Sequence, residues 1–138
     1  MAMDELLEMA WTAHDRAYAP YSNFQVGAAL ETKAGKRYGG CNVEVANYGC
    51  TLCAERTAIV KAVSEGDLAR GELDTIVIAV EATQRPVGPC GSCRQMIEEF
   101  AHEDTRIYLS QERGKIAMEF KHRELLPHAF GPSDLEEK

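Results

Sequence analysis

A chain of 138 residues with 45% apolar content is long enough for one domain with a real core. Its net charge of −7 argues against a nucleic-acid or anionic-membrane surface, because phosphate affinity comes mainly from Lys and Arg; a small neutral substrate or a protein partner fits better. No apolar run approaches membrane-spanning length, the longest strongly apolar one being Ile76 to Val80. The opening residues, MAMDELLE, are acidic and lack the basic start of an export signal. A cytoplasmic protein with reduced thiols is therefore expected, and its five Cys suggest metal or reactivity before disulfides.

In chain order, Asp4 to Ala17 reads as a helix with Leu6, Met9, Ala10, Ala13 and Ala17 on one face, ended by Pro20. Phe24, Val26, Ala28 and Leu30 alternate as in a strand. Lys33 to Lys36 reads as a hairpin turn, and Arg37 to Val43 as the returning strand. A Cys-bearing helix follows and stops near Gly66. Thr75 to Val80 is apolar throughout, as in a central parallel strand covered on both faces. The loop Arg85 to Pro89 leads to a second Cys-bearing helix. Arg106 to Leu109 and Lys115 to Phe120 read as strands, and Leu125, Leu126 and Pro127 precede a polar tail. Alternating helices and strands predict an α/β domain of about five strands over residues 1–138. Both Cys-bearing helices then begin beyond strand C-terminal ends, where open α/β sheets bind ligands.

Those two stretches, CTLCAERTAI from Cys50 and PCGSCRQMIEEF from Pro89, carry the chemistry. Each runs from Cys into apolar residues at helical spacing: Ala54, Ala58 and Ala62 in one, Cys93, Ile97 and Phe100 in the other. Unpaired N–H groups and the helix dipole stabilise thiolates at such helix starts. The number of zinc ligands is open at this point. Cys50, Cys53, Cys90 and Cys93 make a closed structural site with no position for chemistry. Cys53, Cys90 and Cys93 alone leave a fourth position for water. Three observations favour the second set. The pairs lie farther apart than the roughly 15 to 20 residues usual in zinc ribbons. Cys50 falls before the helix, and Glu55 follows Cys53 by two residues, where only a hydrolytic site has use for a carboxylate.

C-A-E-R-T-A at Cys53 followed by P-C-G-x-C-R-Q at Pro89 resembles the cytidine deaminase family in its free-nucleoside, three-Cys form. The likeness extends through YAPYS at Tyr18, FQVGA at Phe24, GCNVE at Gly40 and Leu125-Leu126-Pro127, so it covers nearly the whole chain. It implies a three-layer α/β/α sandwich around a mixed five-stranded sheet. It also implies one Zn2+ per subunit on Cys53, Cys90 and Cys93, and a homotetramer whose pockets are shared between subunits. The family more often has an apolar residue at Cys50, which is then expected to be a small buried hydrophobe.

The implied reaction is hydrolytic deamination of cytidine and 2′-deoxycytidine to the uridine products and ammonia, as in pyrimidine salvage. Zinc activates water. Glu55 shuttles its proton, a task served by a pKa raised through burial. Three thiolates leave the site net negative. The helix N-termini compensate in part, and Arg56 would compensate further by bonding ligand sulfurs. The resemblance assigns substrate contact to Phe24 and Ala54, and ribose contact to Asn42 and Glu44, which lie two apart and so point the same way. It places Tyr48 and Phe130 near a neighbouring subunit's pocket, where stacking adds about 0.5 to 1.5 kcal/mol. Val45 and Asn47 depart from the family pattern. They motivate an alternative, deamination of another cytosine nucleoside such as an aminoacyl-nucleoside antibiotic; a non-catalytic four-sulfur zinc domain is a further alternative. His14, His102, His122 and His128 show no ligand spacing and are expected at the surface.

Overall fold

The computed structural model describes residues 2–81 and 84–136. Helix α1 (Ala2–Asp15) carries Asp4 and Glu5 in its first turn and His14 in its last, each suited to the helix dipole. It buries Leu6, Leu7, Ala10, Trp11 and Ala13. It ends well before Pro20, because the chain turns back at once: Arg16 N–H bonds Ala13 O at 2.9 Å, and Tyr18 bridges to Val43.

Strand β1 (Gly27–Thr32) starts later than the alternation at Phe24 suggests. The reason is local. The Asn42 amide takes the Phe24 carbonyl at 2.8 Å and the Val26 N–H at 2.9 Å, so no strand pairs with them. Nor does β1 alternate, since Gly27 to Leu30 are all buried between two helix layers. A tight turn with Gly35 at φ 90° leads into β2 (Arg37–Cys41). The expected extension to Val43 is reduced to single bridges from Val43 to Tyr18 and Leu52.

After a 3-10 turn (Tyr48–Cys50) come α2 (Ala54–Ser64), β3 (Leu73–Ala79), α3 (Gly91–Phe100) and β4 (Ala101–Ser110). Gly66 at φ 82° turns the chain out of α2. The last elements are β5 (Met118–Lys121), α4 (His122–Leu125) and α5 (Pro132–Glu136). The sheet order is β2-β1-β3-β4-β5. The central strand β3 is parallel to β4 but antiparallel to β1, so the sheet is mixed.

The period of two in β3 divides the core. Ile76 and Ile78 face α2 and α3 with Leu30, Ala58, Ile59, Ala62, Ile97 and Ile107. Val77 and Ala79 face α1 with Leu6, Leu7, Ala10, Trp11 and Ala29. Each Leu or Ile buried in this way contributes about 1.5 to 3 kcal/mol, against about 1 kcal/mol for a helix cap, so the sandwich sets the helix positions.

Two glycines let the layers close. A Cβ on Gly27 would lie 2.1 Å from Ala10 O in α1, and one on Gly40 would lie 2.5 Å from Ala58 N in α2. Because β2, β3 and β4 run in one direction, the chain leaves β2 and β3 at the same sheet edge, with Cys41 and Ala79 both opposite Gly27. The starts of α2 and α3 meet there.

Two of the four histidines are not at the surface. His14 is enclosed on the inner face of α1, its Nδ1 3.1 Å from Asp15 Oδ1 and its ring 4.8 Å from that of Trp11. His122 is enclosed under α3, its Nε2 3.0 Å from Glu98 Oε1. Spacing that excludes a metal role says nothing about burial. Among the described residues no helix is long and apolar enough to cross a membrane.

Candidate active site

Cys53 and Cys90 are the N-cap residues of α2 and α3, both extended in backbone and neither using its side chain as a cap. Their sulfurs are thus free to point between the helix starts. Cys93, one turn into α3, joins them from a buried position. The Cys53 and Cys90 sulfurs are 3.9 Å apart, those of Cys90 and Cys93 are 3.6 Å apart, and all three lie within 4.8 Å of one another. A tetrahedral zinc with Zn–S near 2.3 Å holds its sulfurs about 3.8 Å apart, so this trio fits the ion.

Cys50 takes no part. Among the described residues the cluster contains three thiols, and Cys50 sits at the end of the exposed 3-10 turn. The expectation of a small buried hydrophobe at Cys50 is overturned for the same reason: Asn47 caps that turn from the outside, accepting from Gly49 N–H at 3.1 Å, and the turn buries nothing. The four-sulfur site fails with it.

The thiols do not share charge evenly. Cys53 is drawn down to about 5 by the hydrogen bond from Cys93 and by Arg56, while Cys93 is pushed up because it gives that bond and is buried. Arg56 Nη2 donates to Thr51 O at 2.9 Å and reaches Cys53 Sγ at 3.9 Å. It therefore supplies positive charge on the protein side of the sulfurs.

A pocket of about 250 Å³ opens beside the cluster. Its wall includes Cys53 and Cys90, Ala54 and Glu55 from α2, Phe24, Val26, Asn42, Glu44, Ile78 and Val80. A larger groove of about 470 Å³ runs along α1 past Asp4, Trp11 and Arg113, away from any thiol. Glu55 is only 4% exposed. Burial raises its carboxyl to about 7, the charge on Cys53 adding to the effect, while a bond with Cys93 opposes it.

Asn42 and Glu44 both reach the pocket wall, and both also hold the chain that forms its rim. The Asn42 amide spans Phe24 and Val26 as described. Glu44 Oε1 accepts the N–H groups of Tyr21 and Ser22, each at 3.0 Å, and Oε2 accepts the Ser22 hydroxyl. These bonds, the Ser22 hydroxyl foremost, hold Glu44 below the usual carboxylate range. Phe24 lines the pocket while 43% exposed. Tyr48 and Phe130 are more exposed still, and neither lies on this wall. Tyr48 instead meets Tyr21 edge-on, ring centroids 5.7 Å apart. At the two departures from the family pattern, Val45 N–H bonds Thr51 Oγ1 at 3.2 Å and the Asn47 side chain caps the 3-10 turn.

The structure adds residues that sequence reasoning passed over. Arg94 Nε donates to Pro89 O at 2.7 Å and Nη1 to Leu125 O at 2.8 Å, and Gln95 Nε2 donates to Phe130 O at 2.8 Å. With Glu98 on His122, one face of α3 therefore holds the C-terminal segment. Arg94 and Gln95 are visible as the C-R-Q that closes the second Cys stretch. The Glu98–His122 and Ser22–Glu44 pairs leave no local signal.

A family described as the cytidine and deoxycytidylate deaminase zinc-binding region matches residues 2–109. A cytidine deaminase of Halalkalibacterium halodurans is 50% identical over 131 residues, 94% of this chain and 95% of that protein. One from Sporosarcina psychrophila is 44% identical over 98% of this chain and 96% of its own length. The crystal structure of a cytidine deaminase from Burkholderia pseudomallei superposes with a TM-score of 0.86 at 44% identity, covering 94% of this chain and all of that one.

Proposed function

The chain belongs to the cytidine and deoxycytidylate deaminase family, and from that premise we propose that it hydrolyses cytidine and 2′-deoxycytidine to uridine and 2′-deoxyuridine, releasing ammonia. The supporting observation is the carboxyl of Glu55, buried on the wall of a nucleoside-sized pocket beside the three thiols. Cys53, Cys90 and Cys93 would hold the zinc, which when bound supplies a Lewis acid able to activate water near neutral pH.

The chain's own groups do the rest. A Glu55 carboxylate oxygen accepts the proton of the attacking water and delivers it to the ring nitrogen next to the reacting carbon. It then takes the remaining proton from the hydroxyl now on that carbon and delivers it to the amine, so the carbonyl forms as the C–N bond breaks and one carboxyl carries both transfers. A carboxyl raised to about 7 by burial is suited to giving and taking a proton in neutral solution. Arg56 offsets the negative charge of the sulfurs. Phe24 and Val80 give the base an apolar wall, and Asn42 and Glu44 offer polar atoms to the sugar. Ala54, fully buried at the start of α2, sets the floor of the pocket beside Glu55.

One domain over residues 1–138 acts as a cytoplasmic homotetramer in pyrimidine salvage. Tyr48 and Phe130 are exposed and do not line this chain's own pocket, which supports a role for them in a neighbour's, and sedimentation at assay concentration checks the assembly. The test of the chemistry is Glu55→Gln. It should keep one zinc per chain while deamination of cytidine, followed by loss of absorbance, falls about 10²- to 10⁴-fold. Wild-type ammonia release by the zinc-loaded variant would exclude the mechanism.

A further inference from the structure

Residues 21–26 form neither helix nor strand and are exposed through Gln25, yet they deliver Phe24 and Val26 to the pocket. Packing does not hold Phe24 there, given its exposure; hydrogen bonds do. We propose that Ser22 is a positioning residue whose single hydroxyl sets the substrate-facing geometry of both Glu44 and Phe24. This deepens the reading of a nucleoside-binding pocket and rests on it.

A serine hydroxyl has one donor and two acceptor positions, so it can serve two partners at once. Ser22 Oγ donates to Glu44 Oε2 and accepts the Phe24 N–H at 3.0 Å. Asn23 between them lies at φ 58°, the left-handed region, which folds the chain back far enough for that second bond. The carboxylate offers about four acceptor positions. Tyr21 N–H, Ser22 N–H and the Ser22 hydroxyl fill three, which leaves one on Oε2 for a ligand hydroxyl.

Ser22 thus fixes which way the free position of Glu44 points and ties it to the aromatic ring beside it. The Asn42 bonds to Phe24 O and Val26 N–H do not involve Ser22 and survive its removal. Ser22 is itself exposed, so its substitution leaves no cavity.

The experiment measures kcat and KM for cytidine and the Kd of uridine by calorimetry. The zinc-loaded proteins are wild type, Ser22→Ala, Ser22→Thr, Glu44→Gln and the Ser22→Ala, Glu44→Gln double variant. Loss of a bond to a charged acceptor should raise KM and the uridine Kd of Ser22→Ala about tenfold, with kcat within about twofold of wild type. Ser22→Thr restores both. The double variant should bind no worse than Glu44→Gln, because Ser22 acts through Glu44.

An unchanged KM in Ser22→Ala overturns the proposal. So does a full additional loss in the double variant, or a Ser22→Ala protein whose kcat and melting temperature fall together. Wild-type protein inert on cytidine would instead remove the functional reading itself, which keeps the two failures apart.

Discussion

The role proposed for Arg56 is to serve a metal it would never touch. Its Nη2 is held by Thr51 O, in the loop before α2, and from there reaches the Cys53 sulfur. Outer partners of this kind orient ligands and temper their charge, and their loss costs about 10- to 100-fold in metal affinity or activity. Arg56→Gln keeps a donor of shorter reach without the charge. It should weaken zinc retention by about that factor, read by competition with a chromophoric chelator; retention equal to wild type would reduce Arg56 to a loop anchor. Glu55 is the complementary case, a residue whose chemistry comes from enclosure. Its place two residues after Cys53 and the use of burial there were legible in the sequence, but the wall beside it was not, since that brings Ile78 of β3 and Val80 just beyond β3 from a distant part of the chain.

At the scale of elements, the approach of α2 to the sheet sets the site. Gly40 permits it, and a methyl there would meet Ala58 N at 2.5 Å and Ala54 O at 2.9 Å. Gly40→Ala must push back the first turn of α2, which carries Cys53 and Glu55. Overpacking of this kind costs about 1 to 3 kcal/mol. A lower unfolding midpoint together with lower activity is expected; a drop in stability alone would show that the turn adapts without moving the site.

The α3–α4 contact makes a different prediction. Burial lowers the His122 pKa beneath 6.5; the neighbouring Glu98 opposes that shift and Arg94 reinforces it. The folded state then binds fewer protons at this site than the unfolded state. The associated stability is whole above about pH 6.5 and is lost as pH falls below it. Between pH 7 and 5 the melting temperature of wild type should fall more than that of His122→Gln, and equal falls would clear His122 of the effect. The helix-period and strand-period patterns placed α2, β3 and α3 closely. They misjudged the start of β1, because a side-chain amide from Asn42, remote in sequence, takes the place of a strand there.

Across the whole molecule, the α/β alternation and the Cys residues at two helix starts could be read from local pattern, whereas the choice of three sulfurs over four was only favoured by spacing and rested on the family resemblance. The hydrogen-bonded rim at Ser22 and the enclosure of His14 and His122 could not, since each joins segments far apart in the chain. Exposure of Cys50 escaped for the same reason, its surroundings being a turn that the rest of the fold leaves open. The face of α3 that carries Arg94, Gln95 and Glu98 joins the two kinds of feature, since the same helix begins with two of the three sulfurs. The tail is thereby strapped to the helix that would carry two of the zinc ligands, so an ion bound there would steady the tail as well. Draining the ion with a chelator should let trypsin cut after Lys121 and Arg123 sooner, and refilling should restore resistance, so that the far end of the polypeptide reports whether its centre is loaded.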